Sequence, residues 1–386
     1  MLRIGILTPR STLYPTISFD VLNGLKAGFA QLNLNDITLF TENIGFGTDE
    51  SDIYTKAEKM ILGDNADVVI ACCDSRIASM LQPLFAAAGK LLLVTNMGAN
   101  LPEDWQPHPT TITHSLNFCF NSSLTGTLAA AEGAGALATS YYDAGYNQVY
   151  TMLTRFQQKG GSILYNHVTH LKNEFFTLQP LQVFMTSEQG SSNLLCLFCA
   201  DMADFFYKAI AEVHLSQEAN LFVSPMMLEE SLTNNLKEQV LLKNVQGYTP
   251  WLSTFTNANN QAFVAAYKAA QGKRPNVFSL LGWDTALLLD QFAKALVAHN
   301  NDTVAAIKAM GEATPLPSPR GWIKLDPASN HIYGPGYLVK AGNYFDLKTE
   351  ENSSLDIDAE WKSFKEEVML PSAATSSAWR NTYLCI

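Results

Sequence analysis

Three groups of side chains in this sequence have the spacing that chemistry asks for. Cys196-Leu197-Phe198-Cys199 sets two thiols three residues apart, as in a metal clasp or a redox pair. His167 and His170 are also three apart, and on a helix they could share a metal. Asp201 and Asp204 stand where acids cap a helix. None of the three grows into a fuller constellation. The thiol pair stands alone in an apolar run and reads as core cysteine. The histidine pair has no third ligand in view and reads as a solvated helix face. The first strand ends Thr8-Pro9-Arg10-Ser11 with no glycine-rich turn, which argues against dinucleotide binding. Phosphate-loop, nucleophile-elbow and helical zinc-protease motifs are absent. The expectation is therefore no enzyme, with no catalytic residue, metal or cofactor.

Binding chemistry is better served. In a parallel sheet, strand ends and helix N-termini meet at one edge, where free backbone N–H groups suit an anion. The loops 73–76 and 96–100 fall there if the elements are read correctly. Strands are expected over residues 3–8, 37–41, 66–73 and 90–95. Helices alternate with them over 18–33, 51–62 and 77–88, each with apolar residues at three- and four-residue steps. That order means a parallel sheet with right-handed crossovers. A second series follows. It has a helix over 122–140, a strand over 148–153, a helix over 161–173, strands over 181–185 and 194–199, a helix over 203–213 and a strand over 220–223. Helices over 259–271, 283–299 and 302–310 come next, then a Pro-rich link and a hairpin from 322–325 and 336–339. The end carries a helix near 359–368 and a polar tail.

Composition bounds the rest. The chain has 386 residues, is 47% hydrophobic and 16% charged, and has a net charge of -11. Such a chain is too apolar for disorder and too acidic for nucleic acid. No apolar run is long enough for a membrane-spanning helix, so no direct membrane insertion is expected. Met1-Leu2-Arg3 leads straight into a strand with no secretory pattern, and the six cysteines lack a disulfide framework. A cytoplasmic location is expected, or a periplasmic one if an export signal has been removed.

Several motifs in order carry a family likeness. They are Ile4-Gly5-Ile6, Asn23-Gly24-Leu25-Lys26-Ala27-Gly28, Ala66-Asp67-Val68-Val69-Ile70 and Leu93-Val94-Thr95-Asn96. Further on come Asn244-Val245-Gln246-Gly247-Tyr248, Gly282-Trp283-Asp284 and Pro319-Arg320-Gly321-Trp322. In this order and spacing, the chain resembles the type I periplasmic binding proteins, in the leucine/isoleucine/valine-binding branch of ABC-transporter solute receptors. The resemblance implies an α/β fold of two Rossmann-like lobes with parallel-type sheets, joined by a three-crossing hinge. Lobe one would be residues 1–116 plus 249–317, and lobe two 117–248 plus 318–345. Residues 346–386 would be an acidic and polar extension on or trailing from lobe two.

The resemblance also implies a site. The ligand's carboxylate would meet Ser75, Asn96 and Gly98, and its body would meet Tyr14. Ser75 also reads as a helix cap, and Tyr14 as an ordinary loop aromatic. Asp74 would accept an amine or amide, or else cap its helix beside Arg76. In lobe two the family's acid for a ligand ammonium falls on Met226. Asp201 or Glu229 would supply that charge if the count slips by a residue or two. Arg155 is a further candidate, in the loop expected after the first lobe-two strand, or else an exposed charge. The implied function is capture of an amino acid, amide or small carboxylate for an ABC permease. Alternatives are a cytoplasmic amide-type sensor acting on a regulatory protein and, more remotely, an enzyme on the same scaffold.

Overall fold

Val68–Ala71 is buried at every residue. A strand with no solvated face needs cover on both sides, and helices flanking a parallel sheet provide it. The computed structural model describes residues 2–170, 172–212, 219–236, 240–342, 345–350, 355–368 and 379–384. The chain divides into two units. One is Met1–Leu116, Ser253–Pro335 and Arg380–Ile386, and the other is Asn117–Leu252 and Gly336–Trp379.

The first unit opens with β1 (Leu2–Thr8), α1 (Ile17–Gln31), β2 (Ile37–Asn43), α2 (Glu50–Glu58), β3 (Val68–Ala71), α3 (Ser75–Ala88), β4 (Leu91–Asn96) and β5 (Thr111–Ser115). The second unit then runs α4 (Phe118–Ala130), β6 (Ala134–Ser140), α5 (Asn147–Gln158), β7 (Ser162–Thr169), α6 (Gln179–Met185) and β8 (Asn193–Leu197). It continues with α7 (Ala200–Glu212), β9 (Asn220–Val223), α8 (Glu230–Leu236) and β10 (Val245–Thr249). The chain returns to the first unit with α9 (Ala258–Gln271), α10 (Val277–Ala298), α11 (Thr303–Glu312), β11 (Leu316–Ser318), β12 (Gly321–Asp326) and β13 (His331–Tyr333). β14 (Tyr337–Ala341), β15 (Leu347–Thr349) and α12 (Ile357–Glu367) complete the second. The sheets run β11-β12-β13-β5-β4-β3-β1-β2 and β15-β14-β10-β9-β8-β6-β7. Both are parallel through the middle, with antiparallel strands at one end. This is the expected α/β class.

The second series differs from expectation at its start. The run 122–140 is not one helix: α4 ends at Ala130, Gly133 turns with φ +80°, and β6 follows. Its Ala, Gly, Ser and Thr carry no apolar period that separates helix from strand. Everything to residue 185 shifts in consequence. Residues 148–153 lie inside α5, 161–173 hold β7, and 181–185 belong to α6. His167 is therefore on a strand and His170 just beyond it, so they share no helix face. The expected hairpin is also absent. β12 pairs with β11 and β13 in the first unit, while β14 pairs with β10 in the second. Residues 318–335 thus belong to the first unit rather than lobe two, because β13 extends the first sheet beside β5. Within the expected extension, α12 packs on the second unit, with Trp361 and Phe364 edge-on to Phe120, both at 5.5 Å. The tail from Met369 to Ala378, and Cys385, lie outside the described residues.

Two buried ion clusters join distant segments of the first unit. Arg320 and Asp284 are both fully buried, with Arg320 Nε 2.9 Å from Asp284 Oδ2. Ser318 Oγ donates to the other carboxylate oxygen at 2.7 Å, and Arg320 Nη2 donates to the Ser115 carbonyl at 3.2 Å. Asp20, near the start of α1, accepts from Lys273 Nζ at 2.7 Å, Asn276 Nδ2 at 2.9 Å and Thr16 Oγ1 at 2.9 Å. α1 and α10 cross almost backbone to backbone: a Cβ at Gly24 would lie 1.9 Å from the Ser279 carbonyl oxygen.

Replacing Arg320 with Met leaves Asp284 buried and unpaired. The expected loss is on the order of 3–5 kcal/mol in urea unfolding, since half of a buried pair costs more than none. An unchanged midpoint would contradict this. Burial pushes the Asp20 carboxyl up, but hydrogen bonds from Lys273, Asn276 and Thr16 outweigh it and hold it below its usual range. Its stabilisation is present above the unfolded carboxylate value of about 3.9 and is lost as pH falls through the lower folded value. Asp20→Asn should therefore flatten the acid limb of the stability–pH curve.

Candidate functional site

Parallel strands place their carboxyl ends at one edge of each sheet, and the expected site residues are best located from those edges. In the first unit, Asp74 caps α3 directly after β3. It is buried, and its Oδ1 accepts from the Arg76 N–H and Nε, both at 3.0 Å. Its Oδ2 accepts from Asn100 Nδ2 at 2.8 Å. Its carboxylate is occupied as a cap and counter-ion. Asn96, the last residue of β4, donates from Nδ2 to the Cys73 carbonyl at 2.9 Å and accepts from the Gly98 N–H at 2.8 Å. Gly98 has φ +71°, which lets its N–H turn back onto that oxygen. Asn96 and Gly98 thus brace the loops after β3 and β4 against each other. Ser75 opens α3 half-buried, where a hydroxyl beside a helix N-terminus favours an anion. It borders a cavity of about 270 Å³ with Arg76, Gln82, Glu103, Asp104 and His108. Burial lowers the pKa of His108. Tyr14, after β1, packs edge-on against Phe278 at 5.2 Å, and its N–H donates to Ser11 Oγ. Tyr14, Asp74, Ser75, Asn96 and Gly98 therefore share one sheet edge.

In the second unit the expected residues separate. Met226 is buried in the short turn after β9. Asp201 lies exposed in the first turn of α7, with its carboxylate accepting from the Met202 N–H at 2.9 Å. Asp204 pairs with Lys208 at 2.7 Å instead of capping. Arg155 is neither in a loop nor exposed. It is buried in α5, with Nη2 3.2 Å from Glu360, Nη1 3.2 Å from Ser363, and a close ion pair to Glu367. Its partners all come from α12, so it anchors that helix. Glu229 is buried with Ser231 as hydrogen-bond donor, and burial raises its pKa.

Sequence reasoning missed other groups at this edge. Asp143, after β6, is fully buried. Its Oδ2 accepts from Ser140 Oγ at 2.5 Å and from the Cys199 N–H at 3.1 Å, which ties the loops after β6 and β8. Ala200, beside them, holds φ +49°, a strained value for a residue with a Cβ. Ser224 Oγ and both amide atoms of Gln148 are buried without a partner among the described residues. Gln148 sits in the first turn of α5 and Ser224 just beyond β9, so both belong to the carboxyl edge. Buried polar atoms are almost always satisfied, so these mark places for water or a ligand. The misplaced strand at 148–153 hid Gln148. Among the described residues, no group of three or more His, Cys, Asp or Glu side chains could hold a metal.

A model of the periplasmic binding protein family matches residues 1–344. The chain belongs to that family. Solved structures agree in fold. A solute-binding protein of an ABC transporter from Rhodopseudomonas palustris BisB5, in complex with 3,4-dihydroxybenzoic acid, is 20% identical, with a TM-score of 0.72. The match covers 93% of this chain and 99% of that one. An ABC transporter substrate-binding protein from Sphaerobacter thermophilus is 18% identical with a TM-score of 0.75, covering 90% and 98%. An amino acid ABC transporter substrate-binding protein from Pseudomonas fluorescens Pf-5 is 12% identical with a TM-score of 0.70, covering 93% and 98%. No curated protein matches the sequence. Periplasmic binding proteins hold small molecules, and the site edges described above belong to a fold of that kind.

Gln148→Met tests whether the orphan amide serves the ligand. Removing a buried unpaired amide should leave stability unchanged or raise it by about 1–3 kcal/mol. Ligand affinity should fall at the same time. Lower stability with unaltered affinity would make Gln148 purely structural.

Proposed function

We propose that this protein captures a small carboxylate that lacks an α-ammonium group and delivers it to an ABC-type permease. One observation carries the ligand class. Around the carboxyl edge of the second sheet, Met226 stands buried where the amino-acid receptors are expected to hold their acid. Asp143 is held by Ser140 and Cys199, Glu229 by Ser231, and Asp201 by its own helix turn. An ammonium at Met226 would meet a thioether rather than a carboxylate, and a thioether suits an aromatic or aliphatic body. The 3,4-dihydroxybenzoate complex supports the same class by analogy. In the first unit, the Ser75 hydroxyl at the N-terminus of α3 is the proposed donor to the carboxylate. Asn96 and Gly98 hold the loops that present it, and Tyr14 faces the ligand body. Uptake is favoured over the cytoplasmic sensor because the matched structures are named as transporter binding proteins. Binding without turnover is the reading the family supports.

A thermal-shift panel of benzoates, aliphatic carboxylates, amides and amino acids tests this. A ligand at about 100 times its Kd stabilises by ~2.7 kcal/mol, a shift of a few degrees. Hits are expected among carboxylates, and hits confined to amino acids would overturn the ligand class. Ser75→Ala should weaken the hit by roughly tenfold, the worth of one hydrogen bond to a charged group. Met226→Glu should shift preference toward ammonium-bearing analogues.

A further inference from the structure

The last described residues, 379–384, part company with α12. Trp379 belongs to the second unit and Arg380–Ile386 to the first, so the chain crosses once more at this point. Each half of the segment docks on the carboxyl edge of its own unit's sheet.

On the second unit, Trp379 covers the loop between β6 and α5. Its indole Nε1 donates to the Tyr142 carbonyl at 2.8 Å, and its N–H to the Gly145 carbonyl at 2.8 Å. The ring lies so close to Gly145 that a Cβ there would meet Nε1 at 1.6 Å. This loop carries Asp143 and leads directly to Gln148.

On the first unit, residues 381–384 are all buried, Leu384 completely. Thr382 Oγ1 donates to the Cys72 carbonyl at 3.1 Å, one residue beyond β3. The Thr382 N–H donates to the Phe46 carbonyl after β2 at 3.3 Å. Ser11, after β1, gives its hydroxyl to the Leu384 carbonyl in a close hydrogen bond. The tail thus engages the loops after β1, β2 and β3, on the edge that holds Tyr14, Ser75 and Asn96. The Ser11 hydroxyl, a natural donor to a carboxylate, is spent on a carbonyl of the chain itself.

The hydrogen bonds named above join neutral groups, and the ion pair of Arg380 with Glu50, at 3.4 Å, is exposed. The Cys72 thiol beside them is pushed up to about 12 by burial, so it adds no charge.

We propose that residues 379–384 form a latch, a tethered internal competitor: Trp379 lies on the binding edge of its own unit and residues 381–384 on that of theirs, and each must be displaced before solute binds there. The proposal rests on the solute-binding reading above. A covalently attached occupant acts at an effective concentration on the order of millimolar, and the apparent affinity of an external ligand falls by the fraction of molecules left open.

The test compares 3,4-dihydroxybenzoate binding by calorimetry in three chains: full length, full length with Trp379→Ala, and one ending at Ala378. Trp379→Ala keeps the whole chain should the shortened form fold poorly. Both variants should bind roughly tenfold tighter or more than the full chain. Added solute should also speed amide exchange in residues 379–384 of the full chain. Equal affinities in all three would overturn the latch and leave the solute-binding reading standing. Weaker binding by the variants would also overturn it, making the tail part of the site wall. Binding only by the variants would support latch and solute together. No binding by any chain would overturn the latch as a competitor of this benzoate, while the small-carboxylate reading stands or falls on the thermal-shift panel.

Discussion

Strands without a solvated face govern this molecule. β3, β4 and β8 are apolar and buried nearly throughout, so helices must cover both sides of each sheet. Crossover helices then force the strands to run parallel, and parallel strands deliver their carboxyl ends to a single edge. The polar groups of interest follow from that. Ser75, Asn96 and Gly98 in one unit, and Asp143 and Ser224 in the other, lie in the first residues after a strand or at its last position, and Gln148 lies in the first turn of the helix that follows β6. The interior of each sheet is committed to packing, and chemistry is left to the edge.

Charge is handled with equal economy. Only 16% of the residues are charged, and several of the buried ones are tied to remote partners. Arg320 joins α10 to the end of β5, Asp20 joins α1 to the region of α9 and α10, and Arg155 joins α5 to α12. Each links segments that sequence separates widely. A buried pair is weak evidence for stability, but leaving one partner alone is costly, so such pairs penalise wrong assemblies. Asp74 illustrates the point within the site. Its carboxylate neutralises Arg76 locally, beside the half-buried Ser75 that opens α3.

Much of this was legible in the sequence because period and composition coincided. In the first hundred residues, continuous apolar strands alternate with amphipathic helices, and every element there lies where its pattern puts it. The glycines of the first-helix motif are legible in hindsight as the α1–α10 crossing. Legibility failed where side chains are small. The Ala- and Gly-rich run from 122 to 140 carries no period, and its misreading displaced Arg155 from a buried helix to a loop and concealed Gln148. β7 is an edge strand whose Tyr165, Asn166 and His167 offer no clean apolar face. Partners more than 200 residues apart, such as Arg155 with Glu360, leave no local signal at all. The same holds for Trp379, whose fit on Gly145 depends on a loop far upstream.

Arg155 and Glu360 also bear on how the chain is made. Synthesis runs from the N-terminal side, yet the counter-charges of Arg155 emerge 205 and 212 residues after it. The first sheet likewise lacks β13 until residue 333, and the carbonyl of Ser115 has no Arg320 until 205 residues later. A chain of independent beads could fold one domain at a time as it leaves the ribosome. Here each half is a patchwork of early and late segments, so neither can be finished while the other is still being built. Each unit therefore keeps part of its buried face uncovered until its late segments have emerged.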